Sequence, residues 1–166
     1  MTRTAVRAIV ETQSAEATEE LAVRLGRACV GGEVVLLVGT LGAGKTCFVR
    51  GLARGLGHAD RVVKSPTYNV MHGYAGGRVP LDHYDAYFVR DVDEFARTGL
   101  FEFLADGHVA VIEWADRFEG AFGSDVLEVR LEVVGESTRR LEFHATGEHS
   151  CARLASLGLP TTEVGS

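Results

Sequence analysis

Eight residues, Gly39-Thr-Leu-Gly-Ala-Gly-Lys-Thr46, place three glycines and a lysine directly after the apolar run Val34–Val38. The spacing is G-x-x-x-x-G-K-T, that of a loop that cradles phosphate. Glycines let the backbone curl until several N–H groups face one anion. In such a loop Lys45 reaches the β- and γ-phosphates, the Thr46 hydroxyl ligates Mg²⁺, and the following helix N-terminus adds positive potential. It is not a dinucleotide fingerprint, because Cys47 stands where a third glycine is needed. The chain has 17 basic residues, and only Lys45 and Lys64 are lysines. A compact ammonium on a flexible stem suits a gap between phosphates better than a planar guanidinium.

Phosphate chemistry also needs an acid at the end of a neighbouring strand to organise magnesium and water. Glu113, closing the apolar run 108–113, is the candidate; the plain alternative is a solvated strand-end glutamate. Asp82 and Asp85 in Leu-Asp-His-Tyr-Asp-Ala-Tyr offer two further carboxylates, and residue types alone do not choose between them. In Ser65-Pro-Thr-Tyr68, Pro66 holds Ser65 extended and stiffens the segment. That either presents Thr67 as a hydroxyl ligand or makes an ordinary tight turn. Trp114, the only tryptophan, follows Glu113 directly. It is expected near the phosphates, because ligands of open α/β sheets gather at the carboxyl ends of strands.

Other chemistries find less support. The six histidines form no metal-spaced cluster; His83 with Asp85 and His149 with Cys151 read as surface pairs. No Ser-His-Asp or Cys-His nucleophile pattern stands out. The guanine signature N/T-K-x-D is absent, since neither lysine is followed by x-D, so adenine is the expected base.

Elements able to position these residues are legible around them. Residues 5–12 read as a strand, and Ser14 as the N-cap of a helix over 15–30 that Gly31-Gly32 stops. The run 34–38 is apolar throughout, as in a strand buried on both faces of a parallel sheet. A helix over 45–56 buries Val49, Leu52, Ala53 and Leu56, with Gly57 past its end. Residues 68–75 and 79–84 read as a hairpin, Pro80 placing one member at a sheet edge. Residues 93–105 read as broken helix and 108–114 as a second buried strand. Alternation over 127–133 and 141–145, with a turn at 135–138, reads as half-exposed antiparallel strands. A short helix over 148–157 follows. The fold class is α/β: one three-layer domain of the phosphate-loop NTPase type over residues 1–158. Its sheet is mixed and partly parallel with antiparallel C-terminal strands, and 159–166 form a loose tail.

The net charge of −6, from 17 basic and 23 acidic residues, argues against a broad nucleic-acid grip. Three cysteines without C-x-x-C spacing read as reduced thiols. No apolar run suits a signal peptide or a bilayer span, so the expected location is cytoplasmic, with no membrane partner.

In this order and spacing, "GTLGAGKT", "VKSPTY", "HYDAY" and "VIEW" resemble the TsaE (YjeE) family, small bacterial ATPases needed for threonylcarbamoyladenosine on tRNA. The similarity runs through about residue 115 and more loosely beyond. It implies ATP bound on Leu41, Gly42, Ala43, Gly44, Lys45 and Thr46, with Mg²⁺ served by Thr46 and Glu113. It further implies that Asp85 is important for hydrolysis, that Thr67 sits on a switch-like loop, and that adenine lies beside 12–15, Ala15 included. The implied partners are TsaD-like and TsaB-like proteins, whose turnover the ATP cycle supports and which carry most of the tRNA contact. Hydrolysis is then slow alone and partner-dependent. Three positions depart from the family pattern: Thr40 replaces an acid, Cys47 a threonine, and Phe88 an arginine, with Arg90 two residues on. These bear on hydrolysis and partner contact. The rivals are a small metabolite or nucleoside kinase, using Arg90, Arg97 and Arg117 for its substrate, and a non-hydrolysing module stabilised by nucleotide.

Overall fold

The structure, a computed structural model, describes residues 4–59, 63 and 70–165. Eight strands form one sheet in the order β3-β4-β5-β2-β6-β7-β1-β8. They are β1 (Ala5–Thr12), β2 (Val34–Val38), β3 (Met71–Tyr74), β4 (Leu81–Asp85), β5 (Val109–Glu113), β6 (Leu127–Val133), β7 (Arg139–Ala145) and β8 (Thr161–Val164). The helices are α1 (Ala15–Ala28), α2 (Lys45–Gly55), α3 (Val92–Arg97), α4 (Leu100–Ala105) and α5 (Glu148–Ala155), with a 3-10 turn at Ala115–Phe118. No described helix is long and apolar enough to cross a membrane.

Strands β4, β5, β2 and β6 run parallel to their neighbours in that series. Every residue of β5 is buried, as its unbroken apolar run requires of a strand covered on both faces. Alternate residues divide between two cores. Val35, Leu37, Val109 and Val111 pack under α1 and α2 with Phe48, Val49 and Leu52. Leu36, Ala110 and Ile112 pack on the opposite face with Phe95, Leu100 and Phe118. Strands β6, β7, β1 and β8 are antiparallel to one another, as the alternation predicts for the C-terminal pair.

Helix α1 starts where expected: the Ser14 side chain accepts from the Ala17 N–H. It ends at Ala28, two residues before the predicted stop. Helices α1 and α2 approach closely at their glycines. A Cβ built on Gly51 would sit 2.2 Å from the Glu19 carbonyl oxygen, and one on Gly55 would sit 2.2 Å from that of Val23. The α1 N-terminus is therefore fixed beside the α2 N-terminus. Residues 92–105 break into α3 and α4 at Gly99, which takes φ 86°.

Two expectations need correction. The tail is not loose along its length: Thr161–Val164 form β8, paired antiparallel with β1 from Ala8↔Thr161 to Ala5↔Val164. β-Branched residues suit a strand, and their pairing covers what would otherwise be the bare edge of β1. His83 is not at the surface but fully buried within β4. The hairpin's edge member is β3, and Pro80 lies just before β4.

Candidate functional site

The glycine-rich loop joins β2 to α2, at the carboxyl edge of the parallel strands. Its glycines answer two different demands. Gly42 (φ 81°) and Gly44 (φ 107°) adopt left-handed torsions that other residues rarely take. Gly39 answers a lack of space, since a Cβ there would lie 2.7 Å from the Leu131 carbonyl oxygen on β6. Ala43 is buried, whereas Leu41 is 91% exposed at the loop tip. Lys45 and Thr46 open α2, Thr46 half-buried.

Lys45 is only 7% exposed. Its Nζ donates to the carbonyls of Gly39 at 2.5 Å and Thr40 at 3.1 Å, and lies 3.9 Å from the centre of the Trp114 ring. Burial lowers its pKa, against the opposing pull of Glu113, Asp85 and Asp116. A cation over an indole face is attracted by the ring quadrupole. Trp114 therefore lies at the loop, where its position after β5 places it. Its backbone is left-handed (φ 60°), the only such non-glycine among the described residues. Strained torsions of this kind are held only where surrounding packing enforces them.

Glu113 and Asp85 end adjacent parallel strands and pair in register. Glu113 is 3% exposed, and its Oε2 accepts from His83 Nε2 at 2.9 Å. Asp85 Oδ1 accepts from the Tyr87 N–H at 2.9 Å. Position separates the two aspartates. Asp82 lies at the other end of β4, opposite Ala110, where its Oδ2 accepts from His108 Nδ1 at 2.8 Å. The structure thus brings Lys45, Asp85, Glu113 and Trp114 together and puts Asp82 elsewhere. Thr67 falls outside the described residues.

On the other side of the loop, Ala15, Thr18, Gly44, Cys47, Glu136, Ser137 and Arg139 line a cavity of about 210 Å³. The Cys47 Sγ donates to the Ala15 carbonyl at 3.2 Å, tying the first turns of the two helices together. Burial foremost, then the nearby Glu19 carboxylate, raises the Cys47 thiol pKa. Arg139, not singled out in the sequence, opens β7 opposite Thr12 of β1. Its guanidinium donates to the carbonyls of Gly135 and Thr138 and, at 3.5 Å, of Gly42. The sequence signal was indirect: a basic residue at the start of a strand beside the segment 12–15.

The donors suit a hard cation brought in with phosphates. Among the described residues no group of three or more His, Cys, Asp or Glu could hold a metal alone. The Thr46 hydroxyl and the Glu113 and Asp85 carboxylates are oxygen donors of the kind Mg²⁺ takes, and Mg²⁺ usually completes its shell with water and substrate phosphate.

The family model described as "Threonylcarbamoyl adenosine biosynthesis protein TsaE" matches residues 12–141. The chain belongs to the TsaE family. The tRNA threonylcarbamoyladenosine biosynthesis protein TsaE of Bacillus subtilis is 39% identical, over 70% of this chain and 72% of its own. The protein of the same name from Treponema pallidum is 35% identical over 78% of this chain and 95% of its own. That from Aquifex aeolicus is 35% identical over 80% and 92%. The crystal structure of YdiB from Bacillus subtilis matches with a TM-score of 0.77 at 28% identity, covering 95% of this chain and 96% of that one.

TsaE proteins serve the biosynthesis of a modified tRNA nucleoside, an enzymatic pathway. Against the TsaE pattern, Phe88 is 73% exposed beside Tyr87, which packs edge-on to Trp114 at 5.3 Å. Arg90, two residues on, pairs through its Nε with Glu94 at 2.9 Å on the surface. Arg117 Nη2 donates to the carbonyls of Ala86, Tyr87 and Val89 at 2.7, 2.8 and 3.2 Å, holding the loop after Asp85.

Proposed function

We propose that this chain is a Mg²⁺-dependent ATPase that supports tRNA threonylcarbamoyladenosine formation by acting on a TsaD-like transferase and its TsaB-like partner. The observation that carries the reading is the convergence of Lys45, Asp85 and Glu113 at the mouth of the glycine-rich loop. Three acids act on one buried ammonium there, at the carboxyl edge of a parallel sheet. A polyphosphate entering this loop would draw Lys45 from its own loop carbonyls. Leu41, Gly42, Ala43 and Gly44 would supply the backbone cradle, and Thr46 the hydroxyl. Bound Mg²⁺ would neutralise charge on the phosphates. Glu113 and Asp85 would orient water and metal from β5 and β4, with Thr67 assigned to the same chemistry. Ala15, Cys47 and Arg139 line the side on which adenine would lie.

The kinase reading loses support in the geometry. One of its three proposed substrate arginines, Arg117, is tied to the carbonyls of the loop 86–89. The net charge of −6 supports tRNA contact made mainly by the partners, and three free thiols support a cytoplasmic location. The test is phosphate release from ATP with and without a TsaD–TsaB pair, alongside calorimetry of Mg-ATP. Wild type should bind and release phosphate faster with partners, and Glu113→Ala should bind but release little. Labelled phosphate appearing on an acceptor molecule, with none released, would replace this reading with the kinase.

A further inference from the structure

His83 is completely buried in β4, and its Nε2 lies 2.9 Å from Glu113 Oε2 across the strand pair. Its other ring nitrogen, Nδ1, has no hydrogen-bond partner among the described residues. Burying an imidazole with one nitrogen unsatisfied is unfavourable, so an apolar residue would fill the position better if packing were its only task. On the same face of β4, Leu81 is a buried core residue. A carboxylate can only accept, so Nε2 carries the hydrogen and donates. The bond holds Oε2 toward β4, beside Asp85, with which Glu113 is in register.

We propose that His83 is a positioning residue for Glu113, presetting the carboxylate through which the site handles a nucleotide-borne divalent cation. This rests on the Mg-ATP reading above. Groups that orient a metal-organising ligand from behind are worth about 10- to 100-fold in metal affinity or activity. The role is exerted through Glu113, not by contact with nucleotide.

The experiment uses the full chain and calorimetry of ATP with Mg²⁺ and with EDTA. His83→Phe keeps the ring volume and removes the donor. It should keep the metal-free ATP affinity while losing about 10- to 100-fold of the Mg²⁺-dependent part, with the KM for Mg-ATP in the partner-stimulated reaction rising accordingly. His83→Gln, whose amide nitrogen reaches a similar point, should restore most of the loss. Unchanged Mg²⁺ dependence in His83→Phe, or a His83→Gln no better than a folded His83→Phe, would overturn the assignment while leaving the nucleotide reading intact. Wild type itself provides a check that no folding defect can obscure. The His83 ring ¹⁵N resonances should move when Mg²⁺ is added to ATP-loaded protein and stay still when Mg²⁺ is added without ATP. Resonances indifferent to Mg²⁺ with ATP present would also overturn it. Wild type that binds no Mg-ATP at all would remove the nucleotide reading and this inference with it.

Discussion

The two halves of the sheet are built by different rules. In the β4-β5-β2 half the strands are parallel and helices or turns cover both faces, so even the acid ending β5 is shut away from water. In the β6-β7-β1 half the strands are antiparallel and one face is open. It carries Arg7–Glu142, Arg130–Glu128 and Arg140–Glu11 ion pairs and leaves Ile9 half-exposed. The candidate site sits on the first half because charges there are few, desolvated and forced to answer one another. On the second half charges are many and screened. Arg139 is where the open half reaches back to the loop.

The sharpest way to break this contrast is Lys45→Ala. Charge-assisted contacts to phosphate contribute about 1.5–3 kcal/mol each, so ATP affinity by calorimetry should fall on the order of 100-fold or more. Stability should fall less, because the lost bonds are to the loop's own carbonyls. Equal ATP affinity in wild type and variant would remove the loop from the site.

Next in size is Gly51→Ala, which forces a methyl into the α1–α2 contact. Overpacking of this kind costs about 1–3 kcal/mol. For a chain of this size that is a drop of about 2–4 °C in melting temperature per kcal/mol. A variant as stable as wild type would mean the helices can separate freely.

Asp125 tests a half-exposed anchor between the extremes. Its carboxylate accepts from the His149 and Ser150 N–H groups at 2.9 and 2.8 Å, capping α5 from outside. Asp125→Ala should cost about 1 kcal/mol in urea unfolding. Burial would raise this carboxyl's pKa, but the bonds from Ser150 and His149 outweigh it and the net shift is downward. Its contribution is therefore full above the unfolded-state pKa and lost as pH falls through the lower folded value. Wild type and Asp125→Ala should converge in stability in acid, and a constant gap down to low pH would assign the effect to packing.

The smallest effect belongs to the open face. Arg140 makes 3.3 Å pairs with Glu11 and Glu132, all three side chains well exposed. Arg140→Ala should change stability by under about 1 kcal/mol. A larger loss would show that the ion pairs of this face act as a network.

What was legible in the sequence was whatever a short contiguous stretch can specify. The loop, β2 and the inner face of α2 follow from consecutive residues whose spacing and apolarity leave few alternatives. Glu113 and Trp114 follow from their place after an apolar run. His83 was misread because polarity argues for the surface, and only the pairing of β4 with β5 reveals the acid it serves. Asp82 and Asp85 looked alike for the same reason: three residues along a strand separate its two ends, a distinction without meaning until the strand's neighbours are known. Strand β8 was missed because its edge partner, β1, lies at the far end of the chain. Arg139 belongs to the site by register with Thr12, not by any motif.

The glycine contact between α1 and α2 has a consequence for anyone collecting inactive variants of this protein. The two helices behave as one splint, with the phosphate-type loop and Ala15 at one end and Gly26 near the other. A substitution at Gly26, Gly51 or Gly55 touches nothing a nucleotide would touch, yet it would tilt the splint and misplace both sides of the pocket together. Such variants would surface in a genetic screen with the signature of damaged ligand contacts. Only a second-site change that thins the opposite helix would reveal them as faults of spacing.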